Sequence, residues 1–161
     1  MGLIEEVAKT DRPILGGDIP ILVFRVFRHF SATYVEEVLG RGAAVVFQNG
    51  GRDLGREAGT MLMGKGALDA TAYLTAVCQF VRDSRIGILQ PREVSDRLLV
   101  VDLDECITCA GMDNIGKRIC QFEVGFVAGV AEVLIKRKPR AYETKCNANG
   151  EGTCQVTVEL G

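Results

Sequence analysis

Apolar residues change their spacing several times along the chain, and each change marks a candidate element. Residues 1 to 18 read as a short leader ending in the turn Gly16-Gly17-Asp18. The run from Ile19 to Phe30, IPILVFRVFRHF, is dense in Ile, Val and Phe, a content that favours a strand. Ser31 is placed to cap a helix through Thr33 to Leu39, a second helical pattern runs from Arg41 to Ala58, and a third fits Ala67 to Arg82 with an imperfect apolar face. From Arg85 the period shortens, and RIGILQPREV and RLLVVDLDE read as a strand hairpin. Helix returns from Arg118 to Ile135 and ends at Lys136-Arg137-Lys138-Pro139, where cations suit the helix C-terminus and proline cannot continue it. The chain closes with Arg140 to Cys146 and Thr153 to Leu160, two short strands around an Asn/Gly turn. Strands arriving in hairpins predict an antiparallel sheet packed with helices, an α+β fold in one domain over residues 19 to 161.

Three features qualify this outline. Gly51, Gly55 and Gly59 recur every fourth residue, so on a helix they share one face and let something approach closely; helix packing, within the domain or across a dimer, is the favoured reason over a ligand groove. Gly59 to Gly66, GTMLMGKG, nearly spells a phosphate-binding loop, but Gly66 stands where the magnesium-binding hydroxyl belongs and no strand directly precedes it, so the glycines fit a turn between helices. The single histidine, His29, has no evident nucleophile nearby in sequence and reads as a polar strand-edge residue. No catalytic residue is nominated.

Composition narrows the classes. With 161 residues, 47% of them hydrophobic, 25% charged and a formal charge of -2, the chain is long enough for a real core and too balanced in charge for a nucleic-acid binder. Its first residues carry acids and no signal-like apolar stretch, and no later apolar run is long enough to span a bilayer, so a cytoplasmic location away from the membrane is expected. In a reducing compartment six cysteines (78, 106, 109, 120, 146 and 154) are better explained as core residues, metal ligands or redox thiols than as disulfides. Cys78 reads as a core residue. Cys146 and Cys154 flank a tight turn, Cys106 and Cys109 form a C-x-x-C pair, and Cys120 lies near a predicted helix N-terminus that favours a thiolate. Two tetrahedral sets remain open on these grounds: Cys106/Cys109/Cys146/Cys154 and Cys120/Glu143/Cys146/Cys154.

The stretch from Glu105 to Leu160, with ECITCAGMDNIGKRICQFEVGFVAGVAEVL followed by YETKCNANGEGTCQVTVEL, resembles the 4-vinyl reductase domain, and the Gly51 to Gly59 helix adds a weaker likeness. The resemblance implies a fold similar to subunits of a vesicle-tethering complex. It also implies a structural zinc ion on Cys120, Glu143, Cys146 and Cys154, with Cys106 and Cys109 left outside the site as core or loop thiols. Lys117, Arg118 or Lys145 would offset the excess anionic charge. Phenol sensors of this family hold the ligand hydroxyl with a histidine and a tryptophan; this chain has no tryptophan and its histidine lies far upstream, so phenol specificity does not carry over. Small apolar side chains at Leu99, Val124 and Ala141 are the expected lining of a pocket for a small hydrophobic molecule. The function implied is a zinc-stabilised ligand-binding or sensing module, expected to be homodimeric and to act through a partner. The alternatives are an accessory role in tetrapyrrole or bacteriochlorophyll vinyl reduction, for which no nicotinamide or flavin fingerprint is visible, and a ligand-free interaction scaffold.

Overall fold

The structure, a computed structural model, describes residues 3–64 and 68–161. Five α-helices and four strands follow one another as α1 (Leu3–Val7), α2 (Ile21–Leu39), α3 (Ala43–Met63), α4 (Ala70–Asp83), β1 (Ile88–Val94), β2 (Leu98–Asp104), α5 (Gln121–Ile135), β3 (Arg140–Lys145) and β4 (Cys154–Glu159). The strands form one antiparallel sheet in the order β1-β2-β4-β3. Inward residues match across its centre, with Leu99 opposite Val158, Val101 opposite Val156 and Leu103 opposite Cys154. The α+β class, the antiparallel sheet and both hairpins agree with the sequence pattern.

The expected first strand does not form. From Ile21 onward the segment belongs instead to the 19-residue helix α2, which continues through Leu39 without a break. Its β-branched and aromatic content is real, but Leu22, Val26, Phe30, Tyr34 and Val38 recur every fourth residue, a helical period. All five are exposed, and α2 has no fully buried residue. Its other face is held by polar bonds: Arg25 donates to the carbonyls of Ile107 and Ala110, both at 2.8 Å, and His29 Nε2 bonds the Thr108 carbonyl at 3.0 Å. His29 thus fastens a helix rather than edging a strand.

The glycine face on α3 meets a matching one on α5. A Cβ at Gly51 would stand 1.9 Å from the Phe122 carbonyl oxygen and one at Gly55 2.2 Å from that of Phe126, while Gly125 and Gly129 of α5 come equally close to the Gln48 and Arg52 carbonyls. The two helices therefore cross backbone against backbone, which is helix packing within the domain. Gly59 faces the Tyr73 hydroxyl and Val133, inside α3 rather than in a phosphate loop; Lys65, Gly66 and the expected helix start at Ala67 lie outside the described residues. The Asp69 side chain caps α4 by accepting from the Ala72 amide at 2.8 Å, and Tyr73, Val77 and Val81, one turn apart, are buried. Tyr73 donates to the Val130 carbonyl at 3.0 Å, which ties α4 to α5. Within the segment expected to be a leader, α1 packs on α3, and the Ile4 amide donates to Glu57 at 2.7 Å.

Candidate functional site

Five thiols and one carboxylate gather where α5 begins. β2 ends at Asp104, Glu105 takes a left-handed φ of 51°, and the chain then closes one tight turn in which the Ala110 amide donates to the Cys106 carbonyl at 2.8 Å. That turn sets Cys106 and Cys109 on one side. Cys120 is the N-cap of α5, Cys146 follows β3, and Cys154 opens β4. The register slips between Glu143 and Lys145, an irregularity beside the cluster of a kind that re-aims side chains. All five cysteines and Glu143 are buried, and none of the thiols is in a disulfide.

The spacing fits a metal ion. A tetrahedral ion with metal–sulfur bonds of about 2.3 Å holds its sulfurs about 3.8 Å apart. Cys120 Sγ stands 3.8 Å from Cys154 Sγ, 3.9 Å from Cys146 Sγ and 3.7 Å from Cys106 Sγ. Two four-ligand sets have donor atoms within 4.8 Å of one another, Cys120/Glu143/Cys146/Cys154 and Cys106/Cys109/Cys120/Cys154. The first is the set implied by the family resemblance. The second changes the picture, because Cys106 and Cys109 are not remote loop thiols: Cys109 Sγ lies 3.1 Å from Cys154 Sγ and 3.3 Å from Cys120 Sγ. Those contacts are tighter than a tetrahedral edge and mark Cys109 as a thiol packed against the cluster.

The electrostatics follow from crowding. Hydrogen bonds from its neighbours, Cys106 first and then Cys120, hold the Cys109 thiol far below its ordinary range, and the same contacts push Cys120 and Cys154 up. Burial, and then the Cys146 sulfur, push the Glu143 carboxyl up to about 9. Glu143 accepts from the Cys120 amide at 3.1 Å and from Gln121 Nε2 at 3.1 Å, so it also caps the first turn of α5. Of the three cations expected nearby, Arg118 is the one woven into the site, donating to the Glu143 carbonyl at 3.3 Å and to both oxygens of Glu151. Glu151 in turn accepts from the Cys146 amide at 2.8 Å. Lys117 pairs with Glu36 on α2.

Beside the cluster lies an apolar cavity of about 210 Å³, with Phe24 of α2, Leu54 of α3, Val81 of α4, Leu103 of β2 and Phe126 of α5 among its walls. None of the residues expected to line a pocket borders it. Leu99 and Val124 are buried in the core, Ala141 packs against that core, and the crevice that Leu99 does touch holds only about 10 Å³, less than one water needs. The cavity opens between α2 and α5 because α2 is held by polar bonds rather than by apolar packing. One ionisable residue borders it, Glu123, whose Oε1 accepts from the buried Thr108 hydroxyl. A larger hollow of about 730 Å³ is an open groove between α2 and the 115–121 segment, edged by Arg28, Arg41, Lys117 and Arg118. No helix among the described residues is long and apolar enough to cross a membrane.

Comparison with known proteins agrees with this architecture. The model of the 4-vinyl reductase domain matches residues 99–160, the segment from β2 to the end of β4 that carries all five clustered thiols. An uncharacterized protein of Methanocaldococcus jannaschii is 30% identical over 159 residues, covering 98% of this chain and 86% of that protein. Among solved structures, the phenol-responsive sensory domain of the transcription activator PoxR, bound to phenol, superposes with a TM-score of 0.69 at 11% identity over 88% of this chain and 74% of its own. A trafficking protein particle complex subunit 3 from Naegleria fowleri, covalently bound to palmitic acid, gives 0.65 at 12% identity over 88% and 95% of the two chains. A vinyl-4-reductase family protein from M. jannaschii gives 0.55 at 16% identity over 90% and 83%.

Proposed function

The chain belongs to the 4-vinyl reductase domain family, and from that premise we propose that it is a zinc-stabilised module that binds a small hydrophobic molecule and passes the binding event to a partner. The observation that carries this reading is the 210 Å³ apolar cavity beside the buried thiol cluster. That volume lies below the range of about 300–1,000 Å³ common for drug-sized ligands. It suits a ligand of one ring or a short chain and has no room for a tetrapyrrole.

The zinc is held by Cys120, Glu143, Cys146 and Cys154. Four protein ligands close the coordination sphere, so the ion has a structural role and activates no water. It ties the start of α5 to the β3–β4 hairpin, with Arg118 balancing excess negative charge. The protein acts in the cytoplasm as a homodimer. The exposed row Leu22, Val26, Phe30, Tyr34 and Val38 supplies a continuous apolar face that two copies can bury against each other about a twofold axis.

Native mass spectrometry of freshly purified protein tests the reading. The expected spectrum shows a dimer carrying one zinc ion per chain and a retained small organic molecule. A metal-free, ligand-free species that takes up neither zinc nor any small apolar compound would sink it.

A further inference from the structure

The cavity is apolar on every side but one, and that side is an acid without a full set of partners. Glu123 is 8% exposed. Its Oε1 is satisfied by the Thr108 hydroxyl, whereas Oε2 is buried with no hydrogen-bond partner, the one such side-chain atom among the described residues. Burial pushes the Glu123 carboxyl up, so the site alone disfavours its charge, and a cation brought against it would favour the ionised form.

The surroundings do not supply it. Arg28 of α2 acts on Glu123 as an opposite charge, but its guanidinium lies 4.7 Å from the centre of the Phe47 ring and donates to the Ile119 carbonyl at 3.4 Å, and it makes no ion pair with Glu123. An occupant bearing a positive charge would stabilise the ionised carboxylate, and the rest of the cavity would take its hydrocarbon body.

We propose that the cavity is a site for a small apolar amine, bound with its ammonium group on the Glu123 carboxylate and its ring or chain among Phe24, Leu54, Leu103 and Phe126. At interior packing density 210 Å³ holds on the order of ten non-hydrogen atoms, the size of an arylethylamine. Charge-assisted bonding in a dry site favours such a ligand over the matching alcohol, and a carboxylate ligand is excluded by repulsion. The assignment rests on the ligand-binding reading above and goes beyond it in naming the ligand's charge.

Calorimetric titration of the zinc-loaded protein near neutral pH with three matched probes, 2-phenylethylamine, 2-phenylethanol and 3-phenylpropanoate, tests it. The amine is expected to bind at least about tenfold more tightly than the alcohol, and the carboxylate not detectably. Glu123→Gln, nearly isosteric and still able to accept from Thr108, should erase the amine's advantage and leave alcohol affinity within about threefold. Leu89→Trp, which fills the cavity from the sheet, should weaken amine and alcohol alike and so keeps the test decisive if the Gln variant folds poorly. Equal or tighter binding of the alcohol to wild type, or an amine preference that survives Glu123→Gln, overturns the amine assignment and leaves the ligand-binding reading intact. Failure of all three probes overturns both.

Discussion

Gly55 and Phe126 stand in backbone contact: a Cβ on Gly55 would come within 2.2 Å of the Phe126 carbonyl oxygen. Neither backbone can move aside, since α3 and α5 repeat the arrangement at Gly51, Gly125 and Gly129. Gly55→Ala is therefore expected to destabilise the domain by about 3 kcal/mol or more, at the upper end of overpacking penalties. Gly17→Ala, with nothing within 4 Å of its added methyl, should stay within about 0.5 kcal/mol. Urea denaturation followed by circular dichroism compares the two.

Metal content separates the two ligand sets. Cys120 and Cys154 belong to both, so Cys120→Ser or Cys154→Ser should release zinc and lower the melting temperature sharply. Glu143→Ala and Cys146→Ser should also release it, whereas Cys106→Ser keeps it if the ion sits on the Glu143 side. Zinc retained in Glu143→Ala but lost in Cys106→Ser would move the ion to the C-x-x-C side, as measured by plasma mass spectrometry after gel filtration.

Tyr73 makes stability fall at high pH. Burial pushes its hydroxyl up to about 12, against about 10 in an unfolded chain. The folded state therefore keeps its proton where the unfolded state has lost it. The resulting stabilisation is complete below pH ~10 and drains away between ~10 and ~12, on the order of 3 kcal/mol in all. Tyr73→Phe should cost about 1 kcal/mol near neutral pH through the lost bond to Val130 and should flatten the decline above pH ~10. Denaturation midpoints at several alkaline pH values check both effects.

The exposed face of α2 gives a test of assembly. Phe30→Asp places a charge in the middle of the apolar row while leaving Arg25 and His29 bonded on the other face. Light scattering is expected to show a dimer for wild type and a monomer for the variant, with the helix content of the two unchanged. A wild-type monomer at tens of micromolar would remove the homodimer from the proposal.

Much of this molecule was legible in its sequence because short-range rules applied without competition. The two hairpins, the end of α5 at Lys136 to Pro139 and the inward alternation of Cys154, Val156 and Val158 all follow from local pattern. α2 departs from the strand expectation because its Ile, Val and Phe content favours a strand while the four-residue recurrence from Leu22 to Val38 is helical, and the period is the better signal. The cluster was half legible. Chain spacing brings Cys146 and Cys154 together and leaves a set with Cys106 and Cys109 open; the resemblance puts that pair outside the site, whereas the turn after β2 delivers it to the same place. Glu123 carries no motif that nominates it, and its one sequence signal is that of a lone acid early in the apolar run QFEVGFVAGVA, a charge carried into the core.

The backbone crossing of α3 and α5 makes the cavity an asymmetric vise. Phe126 and Glu123 sit on a jaw that cannot slide or turn without breaking several glycine contacts at once. Phe24 sits on the opposite jaw, hung on a few hydrogen bonds and with no fully buried residue along its length. An occupant of the proposed site would meet the glycine-locked wall on one side and, on the other, a helix with no buried residue, whose outer face carries the apolar row proposed for the dimer.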